Sequence, residues 1–88
     1  MSLSKKIVRQ NFRESVFKRD GHVCLFCTNT NDLDAHHIVD RNLMPDGGYI
    51  MSNGATLCPD HHLEAERGTI TVSKIRQAIV DRQNKEPR

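Results

Sequence analysis

Cysteine and histidine carry the chemistry in this 88-residue sequence. Cys24-Leu25-Phe26-Cys27 and Cys58-Pro59-Asp60-His61 are two half-sites, separated by thirty residues, with a two-residue gap inside each. Such a gap lets a tight turn, or the first turn of a helix, aim both side chains at one ion. Thiolates and an imidazole from separate segments then close the tetrahedral sphere of a structural zinc. The cysteine count agrees: three cysteines leave one thiol unpaired in any disulfide scheme, whereas a histidine completes a metal site. Competing cysteine motifs fail on context. No histidine follows Cys27, which excludes a c-type haem attachment, and no βαβ pattern surrounds the pair, as a thioredoxin-like centre requires. His62-Leu63-Glu64 begins like a zinc deaminase signature, but no cysteine follows Cys58 to complete it. His22 is a second candidate for the fourth ligand, with poorer spacing. Three buried cysteines at coincidental spacing are the plainer alternative.

His36, His37 and His62 lie outside that set. On a helix opening at Pro59, Cys58 and His61 share the first turn, while His62 is rotated by about 100° from His61. One ion therefore does not take both histidines. His62 shares a face with Glu66, four residues on, and that pair can hold a second cation. His36 and His37 point to opposite sides of a regular strand, so they have different tasks. One can ligate a metal; the other stays free to take a proton near neutral pH. A solvent-exposed histidine pair is the simpler reading of the same dipeptide.

Taken in chain order, Cys24-x-x-Cys27, His36-His37-Ile38, Asn53-Gly54 and Leu57-Cys58-x-x-His61-His62 resemble the HNH endonucleases with their ββα-metal site, over residues 13–68. The resemblance implies an α+β fold: a small zinc-stabilised, treble-clef-like ββα-metal domain with flanking N- and C-terminal helices. It implies metal-dependent hydrolysis of DNA phosphodiesters, with His37 as general base and Asn53 as the middle asparagine. His36, His62 and Glu66 would then hold a catalytic divalent cation, and Cys24, Cys27, Cys58 and His61 the structural zinc. Two departures stand out. His61 replaces the commoner fourth zinc cysteine, and Glu66 adds charge that favours a hard cation, Mg²⁺ or Mn²⁺, over Ni²⁺ or Zn²⁺. Around this set, Asp34 is placed to support the His36 ring, Asn53 to orient His37, and Arg41 and Arg67 to clamp phosphate. Each arginine also reads as an ordinary solvated side chain. The rival to the nuclease is a non-catalytic zinc module that binds nucleic acid or protein.

These residues need elements to hold them. Ile7, Val8, Phe12, Val16 and Phe17 recur at helical spacing and predict a helix over 7–20 that ends before Gly21. Residues 33–39 read as a strand, 40–54 as a Gly/Asn/Pro loop, and 55–57 as a second strand. Pro59 opens a helix that Gly68 closes. A last helix over 72–85 presents Val72, Ile75, Ile79 and Val80. The whole reads as one domain, with basic helical flanks over 1–20 and 70–88. Only 36% of the residues are hydrophobic and none is tryptophan, too little for a large core, so a metal staple is expected. No apolar run is long enough to span a membrane or to serve as a signal peptide. Reduced thiols then fit an intracellular, cytoplasmic setting, bacterial or phage origin included. Charge is segregated. Six basic residues face one acid in 1–19, one faces eight acids in 20–66, and six face two in 67–88. Basic flanks around an acidic, cation-binding middle suit DNA as a partner. Specificity from a homodimer or a larger protein partner is compatible with so short a chain.

Overall fold

Ser4 starts the first helix, because its hydroxyl accepts the otherwise unpaired N–H of Ile7 at 3.2 Å. Helix α1 (Lys5–Asp20) therefore begins two residues before the apolar periodicity does. Gly21 ends it in the left-handed conformation at φ 80°. The computed structural model describes residues 4–84. The terminal residue of the expected last helix, 85, and the basic Lys85 and Arg88 of the C-terminal flank lie outside them.

Strand β1 (Asp34–His37) pairs antiparallel with β2 (Gly54–Leu57), with Asp34 opposite Leu57 and His37 opposite Gly54. Between them the expected loop contains three short 3-10 turns, Arg41–Leu43, Pro45–Gly48 and Met51–Asn53. Helix α2 (Pro59–Glu66) follows β2 directly, and α3 (Val72–Asn84) comes last. The strands differ from the sequence reading at their ends. β1 stops at His37, because Ile38 and Val39 give their N–H groups to the backbone and side chain of Asn53 and leave the ladder. β2 gains Gly54.

Side chains alternate across the sheet, so the two-stranded unit has two distinct faces. Ala35, His37, Gly54 and Thr56 face α1. Phe12 stacks on His37, and the Thr56 hydroxyl donates to the Val16 carbonyl. Gly54 is required here: a Cβ at this position would overlap Val16 and stand 2.9 Å from Phe12. On the other face, Ala55 and Leu57 join Cys24, Leu25, Leu33, Ile38, Cys58, Ile70 and Ile75 in the core, while Asp34 and His36 reach α2. Two predicted helix faces are narrower than their periodicity. Ile7 is exposed on α1. On α3 only Ile75 is fully covered, with Ala78 and Ile79 packed beside it and Val72 and Val80 exposed.

A buried polar network joins the outer helices to the sheet. Asp20 is 1% exposed and pairs twice with its neighbour Arg19, at 2.7 and 2.8 Å. Its Oδ2 also accepts the Thr56 N–H at 3.0 Å. Arg19 continues to the carbonyls of Met51 and Gly54. Arg82 of α3 donates to the carbonyls of Asp20 and Cys24. Two arginines counted above among the DNA-facing basic flanks are thus spent on backbone carbonyls inside the fold. No helix among the described residues is long and apolar enough to cross a membrane.

Candidate metal centre and active site

The turn after α1 carries Cys24 and Cys27 to the N-terminus of α2, where Cys58 caps the helix and His61 sits in its first turn. The ligand atoms of all four residues lie within 4.8 Å of one another. Cys27 Sγ is 3.8 Å from Cys58 Sγ, and His61 Nδ1 is 3.2 Å from Cys58 Sγ and 3.5 Å from Cys24 Sγ. A tetrahedral zinc with bonds of about 2.3 Å to sulfur and about 2.0 Å to nitrogen has edges of about 3.8 Å between sulfurs and about 3.5 Å between sulfur and nitrogen. The donors therefore fit zinc in both chemistry and spacing. His61 Nε2 has the Glu64 carboxylate 4.0 Å away, beyond hydrogen-bond distance. Burial resists ionisation of Cys58, but hydrogen bonds from the His61 backbone and ring outweigh it and bring the thiol to about 7. Burial pushes the Cys24 thiol up. The structure decides between the two candidate fourth ligands. His61 belongs to the group, whereas His22, at φ 58°, packs edge-on against Phe17.

One residue on, His62 turns away from the cysteines toward Asp34 and His36 of β1, as the helical rotation predicts. Its Nδ1 is 3.2 Å from Asp34 Oδ2 and its Nε2 is 3.0 Å from Glu66 Oε1, with the His36 ring edge-on at 5.1 Å. Of the three residues expected around a second ion, His62 contacts Glu66 and lies beside the His36 ring, but among the described residues only Cys24, Cys27, Cys58 and His61 have ligand atoms that all lie within 4.8 Å of one another. Asp34 is reassigned. Its two oxygens go to His62 and to Arg13, not to His36. It sits one face-step from the strand centre, where α2 presents His62 to it. Burial first and the neighbouring His62 second hold the His36 pKa below the usual imidazole range.

His37 occupies the opposite face. Phe12 stacks on its ring at 4.7 Å, and Tyr49 meets it edge-on at 4.9 Å. Its Nε2 is sealed from solvent with no hydrogen-bond partner among the described residues. Burial and then the charge of Arg41 lower its pKa, so the ring is neutral at pH 7. Asn53 is buried and acts on the loop rather than on His37 itself. Its Oδ1 accepts from Val39 N at 2.9 Å, and its Nδ2 donates to the carbonyls of Val39 at 3.1 Å and Gly48 at 3.3 Å. It fixes the chain two residues beyond His37. Arg41 borders the His37 cavity and donates to Tyr49 Oη at 3.1 Å. Arg67 caps the end of α2 with an exposed side chain, away from the residues lining that cavity.

Tyr49, Arg9 and Phe12 are absent from the sequence-derived site, yet they surround His37. For Arg9 and Phe12 a signal exists: 9, 12, 13 and 16 form one helical stripe, so two arginines flank the buried Phe12 and Val16. Tyr49 has none, since its place depends on a loop without periodicity. Comparison with protein-family models, with curated proteins and with solved structures returned no match for this chain.

Proposed function

We propose that this domain is a metal-dependent DNA endonuclease of the HNH type, with a treble-clef-like ββα-metal core stapled by zinc at Cys24, Cys27, Cys58 and His61. The observation that carries the reading is the division of labour at one helix. His61 turns into a zinc-competent Cys3His group, while the next residue, His62, turns toward Asp34 and His36 of β1 and contacts Glu66. The second cluster suits a hard cation. Its Nε2–Oε1 separation of 3.0 Å matches two adjacent ligands of an octahedral ion with bonds of about 2.1 Å. Asp34 completes the arrangement by accepting Nδ1–H, which leaves Nε2 as the ligand nitrogen.

His36, His62 and Glu66 would hold that ion, Mg²⁺ or Mn²⁺ by ligand chemistry and Ni²⁺ or Zn²⁺ as softer substitutes. When bound, it supplies Lewis-acid polarisation of a phosphate oxygen and stabilises charge on the leaving oxygen. The protein's own part is proton transfer and positioning. With Nε2 sealed, neutral His37 would take a proton at Nδ1 from a water molecule as that water attacks phosphorus in line, and the bond to the 3′ oxygen breaks. Asn53 keeps the chain after β1 in place, and Arg41 presents charge to a phosphate beside His37. Free thiols in the zinc group fit a reducing, cytoplasmic setting.

Plasmid nicking tests the reading. Nicks bearing 3′-hydroxyl and 5′-phosphate ends, formed only with an added divalent ion, are the expected result. Intact plasmid with Mg²⁺, Mn²⁺, Ni²⁺ and Zn²⁺ alike would leave a non-catalytic zinc module.

A further inference from the structure

Beside His37 lies an open cavity of about 340 Å³ between α1 and the loop, bordered by Arg9, Arg13, Asp34, His37, Arg41 and Tyr49. Three arginines and one carboxylate border it. Asp34 is already committed to Arg13, at 3.2 Å, and to His62, and among the described residues neither Arg9 nor Arg41 makes an ion pair. Arg13 is anchored further by the Leu33 carbonyl at 2.9 Å and lies over the Phe17 ring. Tyr49 is built in rather than draped on the surface. Its ring packs against Phe12 and His37 and rests over Gly47, where a Cβ would stand 2.8 Å from it. Its oxygen accepts from Arg41, so the phenolic hydrogen is free to be donated into the cavity. Contact with Arg41, and then with Arg9, holds the phenol below its usual range, which makes it a stronger donor. Planar guanidinium forks and a polarised hydroxyl around one hollow form a receptor for a tetrahedral oxyanion.

We infer that Arg9, Arg41 and Tyr49 form a binding subsite for one phosphodiester group of a nucleic-acid backbone, and that this subsite works without any divalent cation. The assignment to nucleic acid rests on the endonuclease reading above; the oxyanion chemistry rests on the cavity alone. The subsite adjoins the His36–His62–Glu66 cluster through Asp34, which borders the cavity and contacts His62, while His36 itself lies on the other face of the strand from His37. Substrate would therefore be held by arginine and tyrosine beside His37 and by the adjoining cation cluster.

The test is an NMR titration of the zinc-loaded protein, with no other metal added, by the dinucleotide d(TpT), its uncharged methylphosphonate analogue, and inorganic phosphate. Saturable shifts of the Tyr49 and His37 ring signals with d(TpT), and none with the methylphosphonate, are expected. Arg41→Gln and Tyr49→Phe should each weaken that binding about tenfold, the loss of one charge-assisted hydrogen bond. Both changes are mild for the fold, since Arg41 is exposed and phenylalanine keeps the ring. On a longer duplex, Arg41→Gln should also lower the salt dependence of binding by about one unit of slope, whereas Tyr49→Phe should leave the slope unchanged. Equal response to d(TpT) and the methylphosphonate, or no response at the two rings, overturns the subsite. Tighter binding of inorganic phosphate than of d(TpT) overturns its assignment to nucleic acid. Because no cleavage is read, a protein that binds d(TpT) here but never nicks DNA would refute the endonuclease alone.

Discussion

Replacing Cys27 by serine should unfold the domain, whereas replacing His62 by alanine should not. Cys27 Sγ lies 3.8 Å from Cys58 Sγ in a four-donor group that ties the turn after α1 to the start of α2. The largest fully buried side chains are only Leu57, Ile75 and Val16, so the apolar core is modest. A domain of this length has about 4–13 kcal/mol of stability. Structural zinc contributes about 10–16 kcal/mol in zinc-finger peptides. Losing even half of that contribution is comparable with the whole margin. His62 touches two half-exposed carboxylates, contacts that each contribute at most about 1 kcal/mol. Far-UV circular dichroism with urea titration, run beside a zinc assay, separates the cases. The expectation is one zinc and a cooperative transition for wild type and His62→Ala, and no cooperative transition for Cys27→Ser. A Cys27→Ser protein with the wild-type midpoint would refute the zinc staple. Equal unfolding by both variants would refute the division into two metal groups.

Other outcomes follow from the packing. Gly54→Ala forces a methyl group into Val16 and Phe12 and should cost about 1–3 kcal/mol, read as a lowered urea midpoint; an unchanged midpoint would contradict the close approach of α1 to β2. Asp20→Ala leaves Arg19 buried beside an empty site and should cost about 3–5 kcal/mol in the same assay, while a cost under about 1 kcal/mol would show the pair to be dispensable. Asn53→Ala removes three hydrogen bonds from the loop and should cost about 2–4 kcal/mol, with amide exchange rising at Val39 more than in α3; uniform exchange would contradict its local role.

The Cys3His group was legible because local spacing dictates it. Two residues between Cys24 and Cys27, and between Cys58 and His61, place each pair within one turn, and the helical rotation from His61 to His62 separates their tasks. Strand alternation likewise put His36 and His37 on opposite faces. What escaped the sequence depends on long-range packing. Asp20 reads as the last residue of a solvated helix, and only the approach of β2, with the Thr56 N–H aimed at it, makes it a buried hub. Arg19 and Arg82 count toward a basic flank until the carbonyls they bind are known. Asp34 was paired with its near neighbour His36, but α2 brings His62 within 3.2 Å of it. Val72 and Val80 fit an apolar stripe, yet both are exposed.

The most direct measurement is the nicking rate of His37→Ala against wild type, at matched zinc content and with Mg²⁺ or Mn²⁺ supplied. The ring of His37 packs on Phe12 and Tyr49 and is not one of the four Cys3His residues, so its loss should spare zinc and fold. A fall of about 100-fold or more, the size of a general-base contribution, with an unchanged urea midpoint, is the predicted result. Equal rates for the two proteins, whether both cut or both are inert, would contradict it.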